Sequence, residues 1–410
     1  MSISSRVVQL IPLLVVVLLS GCQRAPATEQ EPRSAWGEII TIAAAEQADS
    51  PAIWPRGDGV AAAWVGGDAE GVYQAARLMT NEAVGRVDPL PLPPVYPHGQ
   101  RLSPSAERDY LHLTWLDARY DDVEGGTRLW TVLLSPDLIP TRGAVQLSDI
   151  RAQRYTLIIN DDGSLWAIYS GGLVSEPSLY AQYIDPLSRP RAERQIISNG
   201  DWPTAIRGND GTTFLFWLRP SDLQVLVAQL TDDVPQFITP LIASPRLAPG
   251  DQLMDFEAGL DTERAYLLWN IQRLDGTNEV WMTSGTTDLR TWELPVRLQI
   301  EALASQPFTT SFNGGAANTT SAGAVPLRWA AVMPGQFEVL ALAAQVGDWL
   351  CVVYLQRGEV VAAQQVVLLT SPLIWQPSLL TDRDRHLYLA WSQPTESGYA
   401  NLQFTSTRPD

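Results

Sequence analysis

An all-β propeller is the fold class this chain predicts, from a recurring strand unit, from the chemistry of its turns and from the scarcity of helical periodicity. The unit is a short strand, a polar turn rich in Asp and Gly, an apolar strand ending in an aromatic, then a loop and another strand. Its second strand stands at residues 59–64, 110–115, 164–169, 213–217, 265–269, 349–354 and 386–391, closing on Trp64, Trp115, Tyr169, Trp217, Trp269, Tyr354 and Trp391. These aromatics recur at roughly 50 residues, with one wider gap, which suits propeller blades rather than 34-residue helical repeats. Turns such as Asn160-Asp161-Asp162-Gly163 and Asn209-Asp210-Gly211 offer residues that tolerate positive φ, so the flanking strands read as hairpins. Scattered Pro and Gly with many β-branched and aromatic residues oppose long helices.

Taken in order, the copies give seven four-stranded blades, with six or eight as the alternative counts. The fourth unit reads as strands at 203–206, 212–217, 223–230 and 237–243. The last supplies only three, at 377–380, 386–391 and 401–405, before the chain ends at Asp410. Residues 37–43 (GEIITIA) are the expected missing outer strand, an N-terminal segment pairing into the last blade to close the ring and leave no lone edge there. Residues 301–336 break the pattern; the small, polar run FNGGAANTTSAG at 312–323 reads as a loop inserted before the sixth blade. Pro89-Leu90-Pro91-Leu92-Pro93-Pro94 reads as an extended connection between the first two.

Ahead of this body, Arg6 precedes a short apolar run that ends Leu19-Ser20-Gly21-Cys22. That is signal-peptide anatomy, and the thirteen residues from Val7 rise only about 20 Å as a helix, short of a bilayer core. The four closing residues resemble the lipobox of bacterial lipoproteins. The resemblance implies a signal peptide over 1–21 cut before Cys22, and a diacylglycerylated Cys22 thiol. Two or three acyl chains hold such a protein on the membrane almost permanently. Residues 22–35 then form a flexible, polar tether with a reach of at most about 45 Å. Gln23 in place of Asp after the lipidated residue implies, by the same resemblance, the outer membrane of a cell that has two. Residues 36–410 remain as one propeller domain.

Composition excludes several chemistries. All 28 basic residues are Arg. Schiff-base lysines and phosphate-cradling lysines are therefore absent. The formal charge is −17, and −18 once residues 1–21 are removed, which disfavours nucleic acid and anionic lipid surfaces as partners. Lipidation would consume Cys22 and leave Cys351 alone, within a strand-like run where a thiol is a small buried hydrophobe. His98, His112 and His386 lie far apart, and neither a metal site nor a cofactor is expected.

Thr287-Asp288-Leu289-Arg290-Thr291-Trp292 resembles a shortened Asp-box, the hairpin turn of sialidase-like propellers. The resemblance implies that Asp and Thr brace the turn and that Trp packs between blades. It carries no catalytic residue across, because the early Arg-Ile-Pro motif of sialidases has no counterpart in the first blade. Candidate ligand contacts come instead from loops after the second strands and from blade openings: Asp117, Arg119, Trp202, Arg219, Arg273 and Trp375. Arginine, amide and aromatic side chains around a concavity suit glycan or peptide recognition by stacking and bidentate hydrogen bonds. The repeated Trp115, Trp217, Trp269 and Trp391 read as packing between blades. Catalytic residues are not legible. A membrane-anchored, extracytoplasmic module that binds a glycan, peptide or protein is the functional expectation; the alternative is a sialidase-like glycoside hydrolase or lyase acting on extracellular glycans.

Overall fold

The computed structural model describes residues 36–46, 49–57, 59–68, 71–79, 89–91, 97–105, 109–118, 126–173, 175–187, 189–208, 211–231, 234–238, 242–261, 263–298, 340–356, 359–382 and 384–407. The lipobox, the tether, the 301–336 insertion and Arg119 lie outside them. No helix occurs among the described residues, and every sheet is antiparallel.

The sheets are seven blades. Strand β1 (Ile40–Glu46) is set aside by the chain for the end of the ring. Blade 1 is β2 (Ala52–Arg56), β3 (Gly59–Asp68) and β4 (Gly71–Met79). Blade 2 is β5 (Pro97–Pro104), β6 (Leu111–Ala118), β7 (Thr127–Leu134) and β8 (Val145–Gln146). Blade 3 is β9 (Ala152–Ile159), β10 (Leu165–Leu173), β11 (Glu176–Ile184) and β12 (Arg194–Ile197), and blade 4 is β13 (Asp201–Arg207), β14 (Thr213–Arg219), β15 (Gln224–Thr231) and β16 (Val234–Ile238). Blade 5 is β17 (Gln252–Leu260), β18 (Arg264–Gln272), β19 (Asn278–Thr286) and β20 (Val296–Arg297). Blade 6 is β21 (Leu340–Val346), β22 (Trp349–Gln356) and β23 (Glu359–Leu368). Blade 7 is β24 (Ser378–Thr381), β25 (Leu387–Pro394) and β26 (Tyr399–Ser406), with β1 as its fourth, outer strand. Blades 1 and 6 show three strands among the described residues.

Closure is as the sequence predicts: β1 pairs with β26 from Ile40↔Phe404 to Glu46↔Tyr399. Ahead of it, the Gly37 amide donates to Ser406 O at 2.8 Å. Seven buried apolar clusters, one at each blade-to-blade boundary, complete the ring. The 7–1 boundary joins Ile42, Leu402 and Phe404 to Ile53, Val60 and Trp64. The recurrent aromatics are the wedges of this packing. Trp64, Trp115, Tyr169, Trp217, Trp269 and Trp391 are buried, each against the preceding blade. Truncating Trp391 to Ala empties a fully buried site between blades 6 and 7 and is expected to cost about 3–5 kcal/mol, readable as a lower urea midpoint.

Blade 6 corrects the repeat. Tyr354 is half-buried and packs toward blade 7, whereas Cys351, Val353 and Leu355 of the same strand face blade 5. The aromatic is out of phase by one residue, and Leu355 fills the wedge position. Because strand side chains alternate with period two, a one-residue offset turns Tyr354 to the other face. Cys351 is buried, and burial pushes its thiol up to about 12.

The turns behave as their residues dictate. Gly163 adopts φ +73° and its amide donates to Asn160 O at 2.9 Å, and Gly211 sits at φ +83°. In the Asp-box-like turn, Asp288 Oδ1 accepts from the Thr286 hydroxyl at 2.5 Å and from the Arg290 amide at 3.2 Å. The bracing hydroxyl is thus Thr286, one residue before the matched segment, while Thr291 contributes backbone groups. Trp292 meets Phe216 of blade 4 edge-on, with ring centroids 6.1 Å apart.

Candidate active site

In each blade the first strand is innermost and the second returns antiparallel to it, so the starts of the inner strands and the loops after the second strands lie at one end of the ring. This end is the mouth. At it, four successive inner strands carry a β-bulge: β5 between His98 and Arg101, β9 between Ala152 and Arg154, β13 between Asp201 and Thr204, and β17 between Leu253 and Asp255. The inner strands β2, β21 and β24 pair with their neighbours without one. A bulge bends a strand and re-aims its side chains, and bulges concentrate next to active sites.

The re-aimed residues are polar and interact from blade to blade. Arg101 of blade 2 lies over the Tyr155 ring of blade 3, its guanidinium carbon 5.1 Å from the centroid. Arg154 of blade 3 covers the Trp202 ring of blade 4 at 3.6 Å and pairs with Asp201 at 3.3 Å. Thr204 of blade 4 donates to Glu257 Oε2 of blade 5 at 3.2 Å and accepts the Ala258 amide at 3.3 Å. Backbone geometry holds the arrangement. Gly99 has φ +59°, its amide donates to Asp49 at 2.5 Å, and its carbonyl lies 2.5 Å from the Tyr155 hydroxyl, which also approaches Thr114 O at 3.0 Å. Trp202 itself holds φ +54°, a conformation costly for a bulky residue and tolerated where the surroundings fix it.

Asp255 and Glu257 are the pair with acid–base capacity. Two residues apart on β17, they share a strand face with Cα atoms about 7 Å apart. Burial raises the Asp255 carboxyl to about 7; repulsion from Glu257 adds to the rise, and Arg101 and Arg154 oppose it. Glu257 is also raised by burial, against the pull of Arg101 and the Thr204 hydrogen bond. Neighbouring carboxylates in a poorly solvated place share protons, so near neutral pH this site holds a carboxyl that can both give and take one. Tyr155 is pushed the other way from reactivity: burial raises its hydroxyl well above the ordinary range, so it serves as a neutral clamp on the Gly99 bulge.

The sequence-predicted contacts divide. Trp202 stands at the mouth, half-buried under Arg154. Asp117 is buried at the end of β6, opposite Pro97 of the inner strand. Trp375 is partly exposed in the loop before β24. Arg219 is bound within its own hairpin, donating to Asp222 at 2.6 and 2.9 Å and to Gln224. Arg273 bridges Asp251 at 2.5 Å and Glu279 at 2.5–2.8 Å, tying the segment ahead of β17 to the β18–β19 hairpin. Arg273→Ala is therefore expected to lower the thermal midpoint, read from melts of the variant and the wild type side by side.

Arg101, Arg154, Asp255 and Glu257 are not legible in the repeat, because its recurring aromatics mark the second strands and these four stand on first strands. Their signal lay one strand earlier. Asp255 and Glu257 flank Phe256, and Arg154 precedes Tyr155, in strands that are otherwise largely apolar.

At the opposite end, Asp382, Asp384 and His386 bring ligand-type atoms within 4.8 Å of one another. The Asp382 carboxylate there accepts from the Tyr388 hydroxyl at 2.7 Å and the His386 amide at 2.9 Å, and lies 3.0 Å from His386 Nδ1. It closes a turn.

These features define a seven-bladed propeller with an acid–base pair at its mouth. No family model matches the chain, and no curated protein matches it. Among solved structures it is similar to the polysaccharide lyase Uly1, with a TM-score of 0.57 and 11% identity over 94% of this chain and 93% of that one. It is similar also to a PL25 ulvan lyase bound to -[GlcA(1-4)Rha3S]-, with a TM-score of 0.54 and 8% identity over 90% and 95% of the two chains. At such identities what is shared is the fold.

Proposed function

We propose that the chain is an extracytoplasmic propeller that cleaves an acidic glycan at its mouth, with Asp255 as the proton-transferring group. The observation that carries this is the Asp255–Glu257 pair, both carboxyls raised by burial, with Arg101 and Arg154 beside it on three of the four bulged strands. The arginines suit a uronate carboxylate or a sulfate, and Trp202 offers an aromatic surface beside them. Elimination would use the ionised Asp255 to take the proton from the carbon bearing the uronate carboxylate, as a C=C bond forms, the neighbouring C–O bond breaks and the departing oxygen takes a proton from solvent; hydrolysis would use the protonated form to give a proton to the glycosidic oxygen as water adds to the anomeric carbon. Both reactions need a carboxyl poised near working pH. The fold held in common with two polysaccharide lyases is consistent with either.

Anchoring through an acylated Cys22 belongs to the same proposal. The first described residues, Trp36 and Gly37, lie at the end of blade 7 away from the mouth, since β1 begins opposite Phe404 and finishes opposite Tyr399.

The test is incubation of the full chain with uronate-containing polysaccharides, followed by product sizing and ultraviolet absorbance. Unsaturated oligosaccharides establish elimination, and saturated fragments with new reducing ends establish hydrolysis. A glycan retained but intact replaces the enzyme by a binding module.

A further inference from the structure

Between blades 3 and 4, at the end of the ring opposite the mouth, the packing opens into a cleft of about 370 Å³. Its floor is Ile158, Ile168 and Ala181 of blade 3, with Leu230 of blade 4 across from them. Trp166 and Tyr183, directly opposed on β10 and β11, form its aromatic wall, with ring centroids 5.1 Å apart and planes at 57°. Arg191 covers the Tyr183 ring at 4.2 Å.

This boundary differs from three others of the ring. Three residues before the recurrent aromatic of the second strand, blades 4, 5 and 7 place Phe214, Tyr266 and Tyr388, each packed toward the following blade and buried to 8%, 0% and 2% exposure. Blade 3 places Trp166 at the same register and facing the same way, yet it is only partly buried. The blade 4 residues that face it, Thr213 and Leu230, are too small to cover an indole.

The rim is polar. Asn160, Asp161, Asp162 and Ser164 come from the blade 3 turn and Arg207 from blade 4. Arg207 donates to Asp161 at 2.6 Å and to Ile159 O at 2.8 Å, which fixes the rim and cancels one carboxylate. Asp162 is held ionised by the hydroxyl and amide of Ser164. Asp162 is offset by Arg191 over the Tyr183 ring, so the cleft offers no net charge to a uronate or a sulfated sugar. Hydroxyl groups that donate to carboxylates while an apolar ring face stacks on indole are the chemistry of an uncharged saccharide.

We propose that this cleft is a second glycan site, which holds a neutral saccharide unit against Trp166. It is independent of the cleavage reading, because it shares no residue with the mouth and lies at the other end of the ring.

The experiment is calorimetric titration of the full chain with cellohexaose, xylohexaose and laminarihexaose, with hexagalacturonate as the anionic comparison. At least one neutral hexasaccharide is expected to bind with a signal that Trp166→Ala weakens tenfold or more. Asp161→Ala, at an exposed position that leaves the floor intact, is expected to weaken it severalfold, and Asp255→Asn to leave it unchanged. Three results would each overturn the proposal: no binding by any neutral probe, binding lost in Asp255→Asn, or binding insensitive to both Trp166→Ala and Asp161→Ala. Preference for hexagalacturonate through this cleft would overturn its neutral specificity. Loss of glycan cleavage at the mouth with hexasaccharide binding retained would separate failure of the enzyme reading from failure of this one.

Discussion

Asp255→Asn is expected to reduce glycan cleavage by about 10²–10⁴-fold while leaving the chain folded and, above neutral pH, more heat-stable than the wild type. The activity loss follows from removing the carboxyl that burial and Glu257 hold near neutrality, whereas Asn keeps the acceptor that takes the Phe256 amide at 2.9 Å. The stability gain follows from linkage. The Asp255 carboxyl sits near 7 in the folded chain and near its ordinary value when unfolded, so between those values the folded state binds more protons. Its contribution is fully present below the unfolded value and is lost as pH rises through about 7. Asn carries no such penalty. At pH 8 its midpoint should exceed that of the wild type by at least about 2–4 °C, and at pH 4 the two should converge. The pH–rate profile separates the roles of the group: activity that rises through pH 7 marks a base and elimination, and activity that falls marks an acid and hydrolysis.

The second large effect concerns closure. A chain starting at residue 47 lacks β1, the outer strand of blade 7, and is expected to lose cooperative unfolding and to aggregate. A chain starting at residue 36 should melt as one unit. Removing β1 uncovers the backbone edge of β26 and strips Ile42 and Ala45 from the 7–1 boundary, where Leu402, Phe404 and Trp64 would face water. Trp36 is lost from the 6–7 boundary at the same time. Open edge strands invite pairing with other chains. Size-exclusion chromatography with thermal melts reads both consequences, and a residue-47 chain that stays monomeric and melts within a few degrees of the longer one would show that the ring does not depend on β1.

How far the sequence carries can be followed residue by residue. The second strands were legible because their aromatics fill one recurring steric task, the wedge between blades, and the closing strand because blade 7 otherwise lacked an outer neighbour. Blade 6 misled where Tyr354 suited the pattern by type while facing the other way. Such an offset shows only once β22 is paired, with its register shift between Tyr354 and Leu355. Arg219 and Arg273 were credible contacts by residue type, and the folded chain engages both with carboxylates, Arg219 with Asp222 in its own hairpin and Arg273 with Glu279 and with Asp251, twenty-two residues earlier. The acid–base pair stayed hidden because bulges decide which inner-strand side chains turn into the mouth. Trp202 was the one foreseen residue that the structure brings beside Arg154, and the reason is conformational: at φ +54° it sits within the β13 bulge.

The most direct test of the account is a comparison of the wild-type chain and Asp255→Asn, each incubated with the same uronate-containing polysaccharides and read by mass analysis of the products. Shortened glycans from the wild type and intact glycans from a folded Asp255→Asn chain are the predicted result. Equal cleavage by both, or glycans intact with both, would contradict a cleavage site at the mouth.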